Sequence, residues 1–190
     1  MNIFYPIVSL LLEVVTGILT GACLLRLYMQ YLRIPMSARS GNPLGRFVLA
    51  LTDWLVLPLR RGVPSIRLLD TASLLAAFLL QLTEFGLLWL LSGGAEGLLA
   101  VPIVAAFGLI RLSLSSMTGA VIVYAVLSWV PGRSVMTDLI ERLVNPPLTP
   151  IRRVLPLLGG IDLSPLVLLV ILQIAGIVLG SLQTAALMAV

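Results

Sequence analysis

The sequence predicts an all-α membrane protein: four transmembrane helices in two parallel repeats, each repeat with a cytoplasmic amphipathic helix at the membrane interface. Three observations predict this fold class. First, 59% of the 190 residues are hydrophobic, the mean hydropathy is +1.13 and only 11% are charged, whereas a soluble domain carries about 25% charged residues. Second, four apolar runs can each supply the ~20 residues that cross a bilayer. Third, a motif in the chain recurs 92 residues later.

The apolar runs set the positions of the predicted spans. They are Phe4–Tyr31, Thr71–Leu91, Leu98–Val130 and Leu163–Leu187. The first and third exceed the length that a bilayer needs, so we expect each to tilt, break or run past the interface. Because Pro102, Gly108 and Arg111 interrupt the third run, a short lead-in before a span proper near Leu112–Trp129 is expected. The N-terminal run exceeds the ~7–15 apolar residues of a cleavable signal, so it should stay in the membrane.

The distribution of basic residues predicts the orientation of the spans. All 12 basic residues are arginines, and they are bunched rather than spread. Six lie between spans one and two and four lie between spans three and four, whereas the connection 92–97 and both termini have none. By the positive-inside rule, the two Arg-rich connections are cytoplasmic and both termini lie outside.

Each cytoplasmic connection is predicted to contain an amphipathic helix. Apolar residues recur at helical spacing over 44–55 and over 136–144, opposite charged residues, and Ser134 is a candidate N-cap of the second helix. Prolines are expected to end both helices, Pro58 in the first and Pro146, Pro147 and Pro150 in the second. The helices could lie on lipid or pack against the spans, because periodicity does not distinguish these surroundings.

The segments after the two amphipathic helices are duplicated. Pro58-Leu-Arg60-Arg61 matches Pro150-Ile-Arg152-Arg153 at a spacing of 92 residues. The same spacing relates Pro64 to Pro156, Asp70 to Asp162 and Gln81 to Gln173. Such self-similarity in a membrane protein indicates structural duplication. It predicts one repeat over 1–95 and a second over 96–190.

These segments resemble the YggT family of small bacterial inner-membrane proteins, which has relatives in plastids. The resemblance is carried by Leu51-Thr-Asp53, by Pro58-Leu-Arg-Arg61-Gly-Val-Pro64 and by most of 145–165, from Asn145-Pro146 to Asp162-Leu-Ser-Pro165. The second copy fits closely. The first departs at Arg67-Leu-Leu, where a Gly-rich turn is expected, and at Thr71-Ala-Ser73. The resemblance implies a multi-pass protein of the bacterial inner membrane, which by the Arg distribution has both termini in the periplasm.

The resemblance also implies two candidate functions. One is a contribution to osmotic-stress or ion homeostasis. The alternative is a scaffold or assembly factor for another membrane complex, including cytochrome maturation and cell-division-linked membrane organisation. Enzyme function is disfavoured because the chain lacks His, a thiol pair, a Walker loop and a cluster of carboxylates on one face. We therefore expect no catalytic residue, metal or cofactor.

The paired arginines are candidates for docking. Arg60, Arg61, Arg152 and Arg153 are predicted to bind anionic lipid headgroups, with docking of an acidic membrane-protein partner as the alternative. A homo-oligomer is also compatible with the sequence. Nucleic acid is disfavoured because the basic patches abut long apolar runs without aromatic interleaving. Asp70 and Asp162 precede membrane-entering helices and are predicted to cap them.

Five polar residues lie inside the predicted spans. An offset of 98 aligns Glu13 with Arg111, which predicts an ion pair joining the repeats. The alternative is that each charge snorkels or meets Ser, Thr or water. Gln81 and Gln173 lie about 16 Å into their spans and are predicted to face each other across a pseudo-twofold axis. Glu84, one turn from Gln81, is the best candidate for contact with an ion.

Overall fold

The computed structural model describes residues 4–37, 41–63, 69–94, 97–129, 132, 134–155 and 162–189. Within these ranges the regular elements are six α-helices. In chain order they are α1 Phe4–Tyr31, α2 Pro43–Gly62, α3 Thr71–Leu91, α4 Ala100–Leu127, α5 Val135–Val154 and α6 Ser164–Met188. Several residues of the predicted motifs lie outside the described residues: Arg39, Pro64, Arg67, Arg133 and Pro156.

Four of the helices are long and apolar enough to cross a membrane. These are α1, α3, α4 and α6, so the four predicted spans and the all-helical fold class are confirmed. Most side chains of these helices are not buried within the protein. Helices that are apolar all round and unburied in their own protein require lipid as solvent. The chain is therefore described as a multi-pass membrane protein.

The third span is one continuous helix rather than a lead-in followed by a span. The helix α4 begins at Ala100, so Pro102 lies in its first turn. In that turn the missing proline N–H has no intrahelical partner to lose. Gly108 lies at the contact with α3, where an added Cβ would collide with side chains of that helix. The predicted interruption is wrong because both residues fit an unbroken helix.

Capping residues begin the two shorter helices, which pack one face against the spans. Asn42 Oδ1 accepts from Gly45 N at 3.0 Å at the start of α2. Ser134 Oγ accepts from Thr137 N at 3.1 Å, which confirms the predicted cap of α5. Val48 and Leu148 are among the buried residues of these helices, whereas Phe47 and other apolar side chains face outward. A position of this outer face at the lipid interface stays a prediction.

The prolines lie inside the shorter helices and do not end them. The helix α2 continues through Pro58 to Gly62, and α5 continues to Val154 through all three of its prolines. An internal proline leaves the carbonyl four residues earlier without its helical donor. Upstream of Pro147 that carbonyl is Leu143 O, and Tyr28 Oη of α1 donates to it at 2.8 Å. The predicted helix ends are wrong, and at Pro147 the freed acceptor joins α5 to α1.

Three small apolar clusters hold the helices together. In the first, α3 contributes Ala72, Ala76 and Ala77 opposite Cys23 and Val56, and such small side chains allow close approach of helices in membranes. The second joins the end of α1 to α5, and the third joins α4, α5 and α6. Between the spans, α1 contacts α3, α4 contacts α6, and α3 contacts α4. These contacts place polar residues of α1, α3 and α4 side by side.

Candidate functional site

A group of charges with two buried members lies where α1, α2 and the start of α3 meet. We call it the first ion cluster, and its members are Arg26, Thr52, Asp53, Arg60 and Asp70. Arg26 Nη1 donates to Thr52 Oγ1 and to Asp53 Oδ1, both at 2.7 Å. Asp70 Oδ2 accepts from Arg60 Nη2 and lies 3.9 Å from Arg26 Nε. Arg26 and Asp70 are 3% and 0% exposed, so their charges depend on protein partners rather than on water.

A related group lies at the corresponding place in the second half of the chain. This second ion cluster comprises Tyr124, Asn145, Arg152 and Asp162. Arg152 Nε and Nη2 each lie 2.9 Å from Asp162 Oδ2. The guanidinium also donates to Asn145 Oδ1 at 3.0 Å and to Tyr124 Oη at 2.8 Å, and it lies 5.9 Å from the Tyr124 ring centroid. One arginine thus joins α4, α5 and the entry to α6.

The two clusters differ in burial. Each has an Arg–Asp ion pair between residues ten positions apart, at the end of the amphipathic helix and the start of the next span. Where the first cluster has Arg26, the second has Tyr124 at the offset of 98 residues. Arg152 and Asp162 are about one-third exposed. The stability of the first ion cluster therefore depends more strongly on each buried charge having an opposite charge beside it.

The predicted docking and capping residues turn out to bind one another. Arg60 and Arg152 form ion pairs with the aspartates while remaining 40% and 32% exposed. Arg61 and Arg153 are also exposed. Docking of lipid headgroups or of an acidic partner by these four arginines stays a prediction. Asp70 occupies the N-cap position of α3 but makes no capping hydrogen bond. Its Oδ2 accepts from Arg60 and from Ser73 Oγ. The predicted N-cap position of Asp70 is thus observed, whereas the predicted hydrogen bond from a first-turn N–H to its carboxylate is absent.

Asp162 keeps part of the predicted role at the start of α6. Leu163 occupies the N-cap position of that helix. Asp162 Oδ1 nevertheless accepts from Ser164 N at 2.9 Å, so the carboxylate contacts the first residue of the helix. A negative charge at this end of a helix is favourable.

Within the spans, a cleft of about 720 Å³ opens between α1, α3 and α4. We call it the polar cleft. Its apolar walls carry six polar or ionisable side chains, which are Ser9, Glu13, Gln81, Glu84, Arg111 and Ser115. Ionisable groups at this depth are costly in a bilayer and mark functional sites. The polar cleft is therefore the candidate functional site.

Glu84 is the most buried ionisable group of the polar cleft, at 5% exposed. Its Oε2 lies 2.6 Å from Thr16 Oγ1 of α1 and 2.8 Å from Gln81 Nε2. The oxygen of the Gln81 amide fits against α4 only because position 108 is glycine. Three spans thus fix the position of this one carboxyl group, and its contact with an ion stays a prediction.

The predicted pairing of Glu13 with Arg111 is wrong. Both line the polar cleft, but the ion pairs of the described residues do not include one between them. Arg111 Nη2 donates instead to Gln183 Oε1 of α6 at 2.8 Å. The predicted contact between Gln81 and Gln173 is also wrong, because Gln81 binds Glu84 whereas Gln173 is exposed on α6.

Several residues of these sites were not identified from the sequence. Arg26 is a charge within the first span, and the offset that aligns Glu13 with Arg111 also aligns Arg26 with Tyr124. The repeated Arg–Asp separation of ten residues was a second signal for the two clusters. Thr16 had no distinguishing signal, because a threonine within a span is ordinary.

The second ion cluster should respond to acid. Burial raises the pKa of Asp162, but hydrogen bonds from Ser164 and the Arg152 guanidinium outweigh it and hold the pKa below the ordinary value of 3.8. Stabilisation by a carboxylate with a lowered pKa is complete above the unfolded pKa of about 3.9 and is lost as pH falls through the folded pKa. Since the Arg152–Asp162 pair is partly exposed, its loss should lower the free energy of unfolding by about 1 kcal/mol.

The measurement is the midpoint of unfolding in mild detergent between about pH 6 and about pH 3, for wild type and Asp162→Asn. The wild-type midpoint should fall more steeply towards acid, so that the two proteins converge at the lowest pH. Parallel curves over the whole range would contradict this role of the ion pair.

Comparison with known proteins agrees with this architecture. The family model described as CCB3/YggT matches residues 2–91 and 103–183. The "Uncharacterized protein YggT" of Escherichia coli (strain K12) is 34% identical over 170 residues, which cover 87% of this chain and 85% of that protein. The "Uncharacterized protein in proC 3'region" of Vibrio alginolyticus is 30% identical over 177 residues, covering 92% and 94%. No solved structure gives a significant match. By the extent of these matches, the chain belongs to the CCB3/YggT family.

Proposed function

We propose that this chain is a non-enzymatic protein of the bacterial inner membrane that contributes to osmotic-stress or ion homeostasis through the polar cleft. The observation that supports the proposal is the position of Glu84, buried among apolar spans and held by Thr16 and Gln81. A carboxyl group buried in a span is energetically costly, and residues of this kind are candidates for function. The Arg-rich connections support a topology with both termini in the periplasm.

The position of the polar cleft suggests how an ion could act on the protein. The cleft is lined by α1 and α3 from the first half of the chain and by α4 from the second. A change of charge at Glu84 would therefore act at the boundary between the halves. Four spans in parallel repeats offer little support for alternating access within one chain. The proposal is accordingly a sensing or accessory role rather than transport by a single chain.

Growth under salt stress tests this proposal. A bacterium lacking its own copy is complemented with wild type, Glu84→Ala or Glu141→Ala, the last being a matched control at an exposed carboxylate of α5. Wild type and Glu141→Ala should restore growth at high salt, whereas Glu84→Ala should not, at equal protein levels in the membrane. Full complementation by Glu84→Ala would reject the polar cleft as the functional site.

A second candidate function, assembly of another membrane complex, is favoured by the outer face of α6. Gln173 is exposed near the middle of this span, and beside Gly176 and Gly180 an added Cβ would meet open space. Outward amides and small residues are the features by which membrane helices associate. If this function is correct, Gln173→Leu rather than Glu84→Ala should fail in the same growth experiment.

A further inference from the structure

We propose that Glu84 is a proton-binding site whose carboxyl group is protonated in the folded protein and donates its hydrogen to Thr16. This inference names the ion of the polar cleft. Its physiological use rests on the function proposed above, whereas the protonation itself rests on contacts around Glu84. The exchange is the simple dissociation of the carboxylic acid into a carboxylate and a proton, which leaves through the polar cleft.

The first line of support is the hydrogen available at Thr16. Its Oγ1 lies 2.6 Å from Leu12 O and 2.6 Å from Glu84 Oε2. A threonine hydroxyl carries one hydrogen, and a carbonyl oxygen can only accept. The Thr16 hydroxyl therefore donates its hydrogen to Leu12 O. The second contact is then a hydrogen bond only if Glu84 supplies the hydrogen, because two bare oxygens at this distance would repel each other.

The contacts on the two carboxyl oxygens agree with this assignment. Gln81 Nε2 donates to Oε2 at 2.8 Å, and a hydroxyl oxygen can accept one hydrogen bond while it donates another. Among the described residues no donor contacts Oε1. A buried ionised carboxylate needs donors to offset its desolvation. No donor in the described part of the chain offsets a charge on Oε1, so an anion would depend on water in the polar cleft, whereas a neutral acid would not.

The charges that face Glu84 support the same protonation state. From the packed elements these are Glu13 of α1 and Arg111 of α4, which line the same cleft. If Glu84 is neutral, their charges cancel. If Glu84 is ionised, the cleft carries one uncompensated negative charge among apolar helices, which is strongly unfavourable.

Infrared spectroscopy of the full chain in lipid vesicles tests the inference directly. At neutral pH, where an exposed glutamate with a pKa of about 4.3 is ionised, wild type labelled with ¹³C-glutamate should show the C=O stretch of one protonated carboxyl group. The band should be absent in Glu84→Gln, a neutral isostere that preserves the fold, and should persist in Glu13→Gln. A wild-type spectrum without the band, or a band that survives Glu84→Gln, would overturn the proposal.

The variant Thr16→Val provides a second measurement that does not require the loss of Glu84. Removal of the acceptor should leave the protonated band in place but shift it to higher frequency, because a C=O stretch rises when the acid hydrogen is not bonded. A spectrum unchanged by Thr16→Val would contradict donation to Thr16. If the Glu84 band is present while Glu84→Ala restores growth in high salt, the proton site stands and the proposed function fails.

Discussion

Replacing Asp70 by alanine should lower the free energy of unfolding by about 3 kcal/mol. Asp70 is fully buried and binds Arg60, with Arg26 Nε only 3.9 Å away. Removing one partner from a buried ion pair costs about 3–5 kcal/mol when the remaining charge stays desolvated. This holds for Arg26, which is 3% exposed, whereas Arg60 is 40% exposed and keeps access to solvent. We expect the lower end of that range, since Arg26 retains its 2.7 Å contact with Asp53.

Unfolding in mild detergent with increasing denaturant measures this effect. Cys23 is the only cysteine of the sequence and is 1% exposed, so its alkylation by a maleimide reports unfolding. The matched control is Asp162→Ala, at the equivalent position of the second ion cluster, which is 31% exposed and should cost about 1 kcal/mol. Equal losses for the two variants would show that burial does not distinguish the clusters.

A double variant separates loss of the ion pair from general damage to the fold. Adding Arg26→Gln to Asp70→Ala removes the buried cation beside the lost carboxylate, and Asp53, which then loses Arg26, is 42% exposed and keeps access to solvent. Because charges in one network couple, the double variant should be more stable than Asp70→Ala alone. Additive losses would mean that Arg26 and Asp70 act independently, contrary to the geometry of the first ion cluster.

The fold could be predicted to a large extent because it depends mainly on the apolar runs along the sequence. Span positions follow from the length of apolar runs, and the predicted boundaries of the first two spans agree with α1 and α3. The ends of α2 and α5 could not be predicted from their prolines. Whether a proline ends a helix depends on whether another group donates a hydrogen bond to the carbonyl that the proline leaves free. For Leu143 O that donor is the hydroxyl of Tyr28, 115 residues away in the chain.

The sequence predicted how deep the polar residues of the candidate site lie in the membrane, but not which residues they contact. Sequence position gives the depth of Glu13, Gln81, Glu84 and Arg111 in the membrane, and all four do line one cleft. Their partners depend on how each helix is rotated about its axis, which the apolar composition of the spans does not encode. For that reason Arg111 binds Gln183 rather than Glu13. Equal depth in two helices is a weak basis for predicting a contact.

Replacing Gly108 by alanine should destabilise the protein by about 2 kcal/mol. An added Cβ at Gly108 would collide with Gln81 Oε1 and would lie 2.8 Å from Phe85 Cε2. Neither neighbour can move freely, since Gln81 is buried and hydrogen-bonded to Glu84 and the Phe85 ring is packed at the same contact. Overpacking of this kind costs about 1–3 kcal/mol, and here it would also push α4 away from α3.

The matched control is Gly119→Ala on the same helix, where an added Cβ meets nothing within 4 Å. That variant should be neutral or slightly stabilising, because alanine is a better helix former than glycine. The Gly108→Ala variant should also shift the infrared band of the Glu84 carboxyl group, since Gln81 cannot keep its present position, whereas Gly119→Ala should leave the band unchanged. If both variants are equally stable and spectroscopically identical, the contact of α3 with α4 at Gly108 does not position Gln81 or Glu84.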